Sequence, residues 1–97
     1  LCIVVLNDDG GSIFASLEQG APDYAENFER IYATPVGAKL GDLCRSMNIA
    51  HELLDVSALA DYLKTPPSGI VVVEVQVPRN HRRTLSNSIN AIAAELF

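Results

Sequence analysis

The chain has little positive charge. Seven lysines and arginines stand against twelve aspartates and glutamates, which gives a formal net charge of −5. Nucleic-acid binding depends on cationic contacts to phosphate, so this balance argues against a nucleic-acid partner. The only basic cluster, at residues 79–83, is too short for a nucleic-acid footprint and is typical of a solvated helix start.

Long apolar runs and paired cysteines are also missing. The longest apolar stretches fall well short of the roughly 18 residues that indicate a membrane span, and residues 1–20 have no positively charged start or cleavage pattern, so we expect no signal peptide there. Cys2 and Cys44 have neither a Cys-x-x-Cys partner nor a histidine at metal spacing. We therefore expect buried free thiols in a reducing cytoplasm, and a cytoplasmic location for the protein.

Length and composition limit the chain to one domain. Its 97 residues are 48% apolar and include five prolines and six glycines, which predicts a packed core without long disorder. Leu1 stands directly at the start of an apolar run that has the composition of a core strand. We expect from this that the chain is part of a longer protein.

Three segments have the composition of strands. Residues 2–6 are apolar throughout, which predicts a strand buried on both faces. Residues 49–54 form a shorter candidate, and the nearly continuous β-branched run at 70–77 is the strongest. Helices are expected at 12–18, within 24–38 before the Thr34-Pro35 turn, and at 40–47, 57–63 and 84–96. This alternation predicts a parallel sheet joined by right-handed crossovers, and a sheet of only three strands indicates that further strands are missing.

Apolar residues that recur at helical spacing are expected to face the core. They are Leu40, Leu43, Cys44 and Met47 in one helix, Leu59, Tyr62 and Leu63 in the next, and Leu85, Ile89, Ile92 and Leu96 in the last. Ser57 is a suitable N-cap for the helix at 57–63.

An acidic, glycine-containing turn, Asn7-Asp8-Asp9-Gly10-Gly11, follows the first strand. Open α/β sheets bind ligands at the carboxyl ends of their strands, and the carboxylates and the amide offer the hard oxygens that Mg²⁺ prefers. The two glycines allow close backbone approach and begin a helix whose N-terminal amides favour phosphate. The turn therefore predicts one side of a site for Mg²⁺ and a phosphate-containing cofactor.

Other interpretations of this turn compete. Its residues are also good helix caps. A haloacid-dehalogenase-like phosphatase needs a nucleophilic aspartate at the position of Asn7, and an amide cannot form the aspartyl-phosphate. A receiver-like phosphoacceptor domain would use Asp8, Asp9 and Asp55, but Pro78 and Arg79 stand where its lysine is needed. A non-catalytic α/β interaction module is a further alternative.

Residues 6–14, Leu-Asn-Asp-Asp-Gly-Gly-Ser-Ile-Phe, resemble the closing half of the thiamine-diphosphate motif, which opens with Gly-Asp-x and ends in Asn-Asn. The string is similar to that of the menaquinone-pathway MenD family, the 2-succinyl-5-enolpyruvyl-6-hydroxy-3-cyclohexene-1-carboxylate synthases. Residues 28–35, Phe-Glu-Arg-Ile-Tyr-Ala-Thr-Pro, resemble the family's Phe-Glu-Arg-x-Phe-Gly-Thr-Pro stretch. Residues 17–20 and 41–45 are similar to its actinobacterial branch. The order of the elements fits the C-terminal end of the family over essentially the whole chain.

This resemblance implies a three-layer α/β/α fold with a parallel sheet, in which residues 1–97 are the C-terminal portion of a pyrophosphate-type thiamine-diphosphate-binding domain. It implies thiamine diphosphate and Mg²⁺ as cofactors, with the Asp8 side chain and the Gly10 carbonyl as metal ligands. The cofactor-binding residues that it implies are Asn7, which would hold the turn, and Gly10, Gly11, Ser12 and Ile13. Ile13 and Phe14 would shield the reactive carbon from water as catalytic residues, and Phe14 and Leu17 would lie beside the substrate. Ordinary helix-on-sheet packing is the alternative explanation for Ile13, Phe14 and Leu17.

The enzymes of this family are transferases of menaquinone biosynthesis. They decarboxylate 2-oxoglutarate and add the succinyl carbanion equivalent to isochorismate. The chain lacks the opening Gly-Asp-x, the activating glutamate and the basic residues for two polycarboxylate substrates. The resemblance implies that the rest of the parent chain and a second subunit supply them, so we expect the chain alone to be inactive and its sheet edge to promote self-association. Val36 and Ala33 depart from the family's histidine and glycine, and Gly41-Asp42-Leu43 matches Gly-Asp-x by chance. Arg30 is either a substrate-facing cation or part of a surface ion pair.

Overall fold

The computed structural model describes all 97 residues. Its strands and α-helices are β1 Cys2–Asn7, α1 Ala25–Asn27, α2 Leu40–Ser46, β2 Ala50–Leu54, α3 Val56–Lys64, β3 Val71–Gln76 and α4 Arg82–Leu96. Between β1 and α2 lie three 3-10 segments, Ser12–Ser16, Glu18–Gly20 and Pro22–Tyr24, and a π-helix, Phe28–Ala33. No helix has both the length and the apolar character that crossing a membrane requires. The chain forms two compact units, one of residues 1–7 and 37–77 and one of residues 8–36 and 78–97.

The first unit contains a parallel sheet of three strands in the order β1-β3-β2. The β3 strand lies in the centre, where Val71 pairs with Cys2 on one side and with Ala50 on the other. Its β-branched residues Val71, Val73 and Val75 are fully buried and form the core of the sheet. The predicted strands, their parallel arrangement and the α/β class are therefore confirmed.

The burial predicted for the first strand is wrong. β1 is an edge strand that pairs with β3 alone, and its side chains Ile3, Val4 and Leu6 are exposed, Leu6 by 61%. The helices of this unit pack chiefly against the other two strands, α2 on β2 and α3 on β3. The apolar run indicated the strand correctly. It did not show whether other elements of this chain cover the two faces of that strand.

The α3 helix begins one residue earlier than predicted and has a different cap. Asp55, not Ser57, is the N-cap. Its Oδ1 accepts hydrogen bonds from the Ser57 backbone N–H at 2.8 Å and from the Ser57 hydroxyl at 2.6 Å. These hydrogen bonds lower the pKa of Asp55 below its ordinary value, and the bond from the Ser57 hydroxyl has the largest effect. The sequence identified the right segment, but the serine acts as a donor to the capping aspartate.

Apolar residues at helical spacing are less buried than predicted. Cys44 of α2 is buried, whereas Leu43 and Met47 are exposed. The stripe on α4 is exposed over its whole length, at Leu85, Ile89, Ile92 and Leu96. In α3, Leu59 and Tyr62 are half-buried and Leu63 is exposed. Helical spacing identifies which face is apolar, and that face is buried only where another element of the chain packs on it.

The second unit is helical. The helix predicted before Thr34-Pro35 is present as α1 and the following π-helix, which ends where the Thr34 N–H donates to the Glu29 carbonyl at 2.8 Å. Thr34 itself has a left-handed backbone, with φ of 45°. The Tyr32 ring lies 6.1 Å, centroid to centroid, from both Phe28 and Phe14. The contact between Phe14 and Tyr32 joins the π-helix to the first 3-10 segment.

Candidate functional site

The segment Asp8–Ser12, here called the acidic turn, is organised by the Asp8 carboxylate. Its Oδ1 accepts a hydrogen bond from the Gly10 N–H at 3.1 Å, and its Oδ2 accepts one from the Ser12 N–H at 3.2 Å. A hydrogen bond from the Ser12 side chain lowers the pKa of Asp8 most strongly; partial burial opposes this, and the backbone bonds add to the lowering. Asp8 is therefore an ionised, oxygen-donating group at neutral pH.

Contacts within the chain exclude a side chain at Gly10 and leave little room for one at Gly11. A Cβ atom on Gly10 would overlap the Ala33 carbonyl oxygen and come within 2.9 Å of Arg79 Nη1. A Cβ atom on Gly11 would lie 3.1 Å from both the Phe14 ring and the Tyr32 carbonyl oxygen. The predicted close approach of backbone at these glycines is present, and the partners seen are the end of the π-helix and an arginine.

The amides of the acidic turn already have partners. The Gly11 N–H donates to the Ala33 carbonyl at 2.8 Å, and the Gly10 and Ser12 N–H groups donate to Asp8. The element that begins at Ser12 is a 3-10 helix of five residues. We expected these amides to point at a phosphate. In this structure they instead form hydrogen bonds within the chain that fix the conformation of the turn.

Arg79 contacts the acidic turn directly, and the sequence analysis missed this. Its Nη1 donates to the Asp8 carbonyl at 2.6 Å and also to the Asp9 carbonyl, while Nη2 forms an ion pair with the Glu29 carboxylate. The Arg79 side chain is only 15% exposed. Nearby, Arg83 donates to the Ala15 and Leu17 carbonyls at 3.1 and 2.8 Å.

The prediction that residues 79–83 form a merely solvated helix start is therefore wrong. Arg82 also reaches this segment, with Nη1 3.3 Å from the Ser12 hydroxyl. One signal in the sequence could have indicated these contacts. Arg79 comes two residues after the strongest predicted strand, and strand ends are where α/β proteins place functional side chains.

The apolar residues assigned to the cofactor and substrate lie on the exposed side of the first 3-10 segment and just beyond it. The exposed fractions are 58% for Ile13, 38% for Phe14 and 48% for Leu17. Phe14 has the Tyr32 ring beside it. The alternative explanation for these three residues was burial by helix-on-sheet packing. They are not buried in this chain.

Asn7, in the other unit, is held by a buried carboxylate on the central strand. Asn7 Nδ2 donates to Glu74 Oε1 at 2.6 Å, and the second oxygen of Glu74 lies 2.8 Å from His51 Nε2. Glu74 is only 5% exposed. Which of these two groups donates the hydrogen bond depends on the tautomer of His51. The sequence analysis predicted a structural role for Asn7 but did not identify Glu74 or His51.

The residues of the acidic turn fit a contribution to a Mg²⁺ site rather than a whole site. Asp8 offers an ionised carboxylate and Gly10 a neutral carbonyl oxygen, both hard donors of the kind that Mg²⁺ binds. The chain contains no group of three or more histidine, cysteine, aspartate or glutamate side chains that could hold a metal ion. Mg²⁺ commonly completes its coordination with phosphate oxygens and water, so a single carboxylate and a carbonyl are a chemically reasonable share of such a site for this chain.

The three-stranded parallel sheet and its helices define this chain as part of an α/β protein. No family model matches the chain. It is 48% identical over 91 residues to the 2-succinyl-5-enolpyruvyl-6-hydroxy-3-cyclohexene-1-carboxylate synthase of Rhodococcus erythropolis, a match that covers 94% of this chain and 17% of that protein.

The synthases of the same name from Nocardioides sp. and Mycobacterium sp. (strain KMS) are 46% and 42% identical over 93 and 91 residues, 95% and 94% of this chain. The chain is thus homologous to a segment of the actinobacterial synthases, which confirms the resemblance stated from its motifs. It spans about 17% of the length of these curated relatives.

Proposed function

We propose that this chain is the C-terminal portion of the pyrophosphate-binding domain of a 2-succinyl-5-enolpyruvyl-6-hydroxy-3-cyclohexene-1-carboxylate synthase. In this proposal the whole enzyme is a cytoplasmic transferase of menaquinone biosynthesis that takes 2-oxoglutarate and isochorismate as substrates. The observation that carries the proposal is the 48% identity over 94% of the chain to an enzyme of that name.

The cofactors of the proposed enzyme are thiamine diphosphate and Mg²⁺. When bound, the thiamine cofactor supplies the decarboxylation and the carbon–carbon bond-forming chemistry. The protein supplies binding and orientation: the Asp8 carboxylate and the Gly10 carbonyl would hold the metal, and Asn7, Gly11 and Ser12 would keep the turn in place beside the diphosphate. The lowered pKa of Asp8 supports this role, because the carboxylate is ionised at neutral pH.

The exposed apolar side chains give the second part of the proposal. Ile13 and Phe14 would exclude water from the reacting atoms, and Leu17 would contact the substrate. Their exposure leaves them accessible to a ligand. The Tyr32 ring packs against the Phe14 ring, with 6.1 Å between the ring centroids, and limits the orientations of the Phe14 ring.

The chain on its own is expected to be inactive. The acidic turn supplies one carboxylate toward the metal, and the remaining ligands and the substrate-binding cations would come from the rest of the enzyme and a second subunit. The prediction is that calorimetric titration of the chain with thiamine diphosphate and Mg²⁺ gives no micromolar binding. Tight binding by the chain alone would contradict this division of the site.

Substitution of Asp8 in the full-length synthase that carries this segment tests the metal assignment. Asp8→Ala removes the donor oxygens and is expected to abolish turnover or raise the Mg²⁺ half-saturation at least 100-fold. Asp8→Asn keeps one oxygen donor and is expected to retain most activity. Asp42→Ala is the matched control, because Asp42 forms an exposed ion pair with Arg45 at 2.7 Å. An Asp8→Ala enzyme with unchanged Mg²⁺ dependence would contradict the assignment and favour a non-catalytic α/β module.

The structure favours a structural role for Asp55 over the phosphoacceptor role that the receiver-like alternative needs. Asp55 would have to be a free nucleophile there, whereas its carboxylate accepts two hydrogen bonds from Ser57 as the cap of α3. The homology to the synthases also favours the cofactor role for the acidic turn over a phosphorelay role.

A further inference from the structure

We propose that Arg79 is a positioning residue for the acidic turn: held by Glu29, it fixes the turn in the conformation that binds Mg²⁺. This inference rests on the proposed function, because it assigns a metal to Asp8. The residues that carry it all belong to the second unit of the chain.

The contact geometry restricts the backbone of the turn. One nitrogen of Arg79 donates to two successive carbonyls, those of Asp8 and Asp9. Two neighbouring carbonyls that face the same donor fix the orientation of both peptide planes. The residue between them, Asp9, has a left-handed backbone with φ of 53°, a conformation that L-residues other than glycine adopt rarely and only where their surroundings hold it.

Glu29 holds the guanidinium in place. The second nitrogen of Arg79 forms an ion pair with this carboxylate, and Glu29 lies in the π-helix whose last residue, Ala33, accepts the hydrogen bond from Gly11 N–H at 2.8 Å. Arg79 Nε is buried without a hydrogen-bond partner. The guanidinium therefore sits where its two terminal nitrogens reach the turn and Glu29, even though the third nitrogen is left unsatisfied.

These contacts affect metal binding through the turn. Asp8 and Gly10, the proposed ligands, belong to or adjoin the peptide units that Arg79 holds. Groups that orient metal ligands from outside the coordination shell typically change metal affinity 10–100-fold when they are removed. A through-space charge effect has the opposite sign, because removing a cation near Mg²⁺ would strengthen metal binding. The direction of the change thus separates positioning from simple electrostatics.

The experiment uses the full-length synthase that carries this segment, with the variants Arg79→Met, Arg79→Lys and Arg45→Met. The matched control Arg45→Met also removes an arginine from an ion pair, an exposed one with Asp42. Mg²⁺ binding in the presence of thiamine diphosphate is measured by calorimetry, and turnover is measured against Mg²⁺ concentration. Hydrogen exchange of the peptide that covers residues 8–17 reports the order of the turn without relying on activity.

Arg79→Met is expected to raise the Mg²⁺ dissociation constant 10–100-fold, to speed hydrogen exchange across residues 8–17, and to recover kcat at excess Mg²⁺. The Mg²⁺ dissociation constant of Arg79→Lys is expected to lie between those of Arg79→Met and the parent enzyme. A lysine keeps the charge, but its ammonium lacks the forked geometry with which the guanidinium joins two carbonyls to a carboxylate. Arg45→Met is expected to match the parent enzyme.

An Arg79→Met enzyme with tighter or unchanged Mg²⁺ binding overturns the inference, as does a loss of turnover at unchanged Mg²⁺ half-saturation. If Arg79→Met does not fold, Arg79→Lys replaces it; this variant keeps the positive charge, and it must weaken Mg²⁺ binding. Asp8→Ala separates the two proposals. If Asp8→Ala weakens Mg²⁺ binding and Arg79→Met does not, only the positioning role fails; if neither does, the proposed metal site itself fails.

Discussion

Replacing Glu74 by alanine in this chain is expected to lower the free energy of unfolding by about 2–4 kcal/mol. Glu74 lies on the central strand and is only 5% exposed. It accepts a hydrogen bond from Asn7 at 2.6 Å and shares one with His51 at 2.8 Å, and so joins all three strands of the sheet. Alanine removes the carboxyl oxygens that both side chains contact.

The magnitude follows from these two bonds. A hydrogen bond to a charged group contributes about 1.5–3 kcal/mol, so the pair contributes about 3–6 kcal/mol. Two effects reduce this value. The variant no longer has a buried carboxyl group in its sheet, and water can reach the His51 side chain, which is 19% exposed. Glu74→Gln keeps the shape and one acceptor, and is expected to cost about 1 kcal/mol.

Urea unfolding followed by circular dichroism measures these differences, with Glu52→Ala as the control on the neighbouring strand. Glu52 accepts an exposed hydrogen bond from the Tyr62 hydroxyl at 3.1 Å, so its loss is expected to change stability by less than about 0.5 kcal/mol. If Glu74→Ala were no more destabilising than Glu52→Ala, the reasoning that this carboxylate holds the strands together would be refuted.

Two further predictions concern the acidic turn. Gly10→Ala introduces a Cβ that overlaps the Ala33 carbonyl oxygen and crowds Arg79 Nη1; we expect a loss of about 1.5–3 kcal/mol, the value of the displaced arginine bond, in thermal unfolding, and an unchanged melting temperature would contradict it. In the folded chain the pKa of Asp8 lies below its ordinary value of 3.8. The contribution of Asp8 to the stability of the fold is therefore present above pH 3.8 and is lost as the pH falls through the folded pKa. The NMR shifts of the Gly10 and Ser12 amides should follow this titration, and a midpoint at or above 3.8 would count against it.

The strands were predictable from local composition. In β3, a nearly continuous β-branched run indicated a central buried strand, and the structure places it between the other two. In β1, a similar run indicated the strand correctly and its burial incorrectly. Composition reports what a segment can bury, whereas burial depends on the elements that pack against it; the exposed stripe on α4 shows the same difference.

The acidic turn was predictable because its chemistry is contiguous in the sequence. Asp8 and the glycines stand side by side after a strand, and their spacing carries the signal. Arg79 and Glu29 are 50 residues apart and Glu74 is 67 residues from Asn7, so no spacing in the chain connects them. A single charged residue in a strand or at its end does not identify its partner, and only the folded arrangement does.

The arginine that holds Asp8 lies 71 residues further along the chain. During synthesis the ribosome therefore releases Asp8 and Asp9 well before Arg79 exists, and the nascent turn lacks the donor for its two carbonyls. A polypeptide cut short at residue 78 would keep every amino acid of the motif and lack the arginine hydrogen bonds to the Asp8 and Asp9 carbonyls.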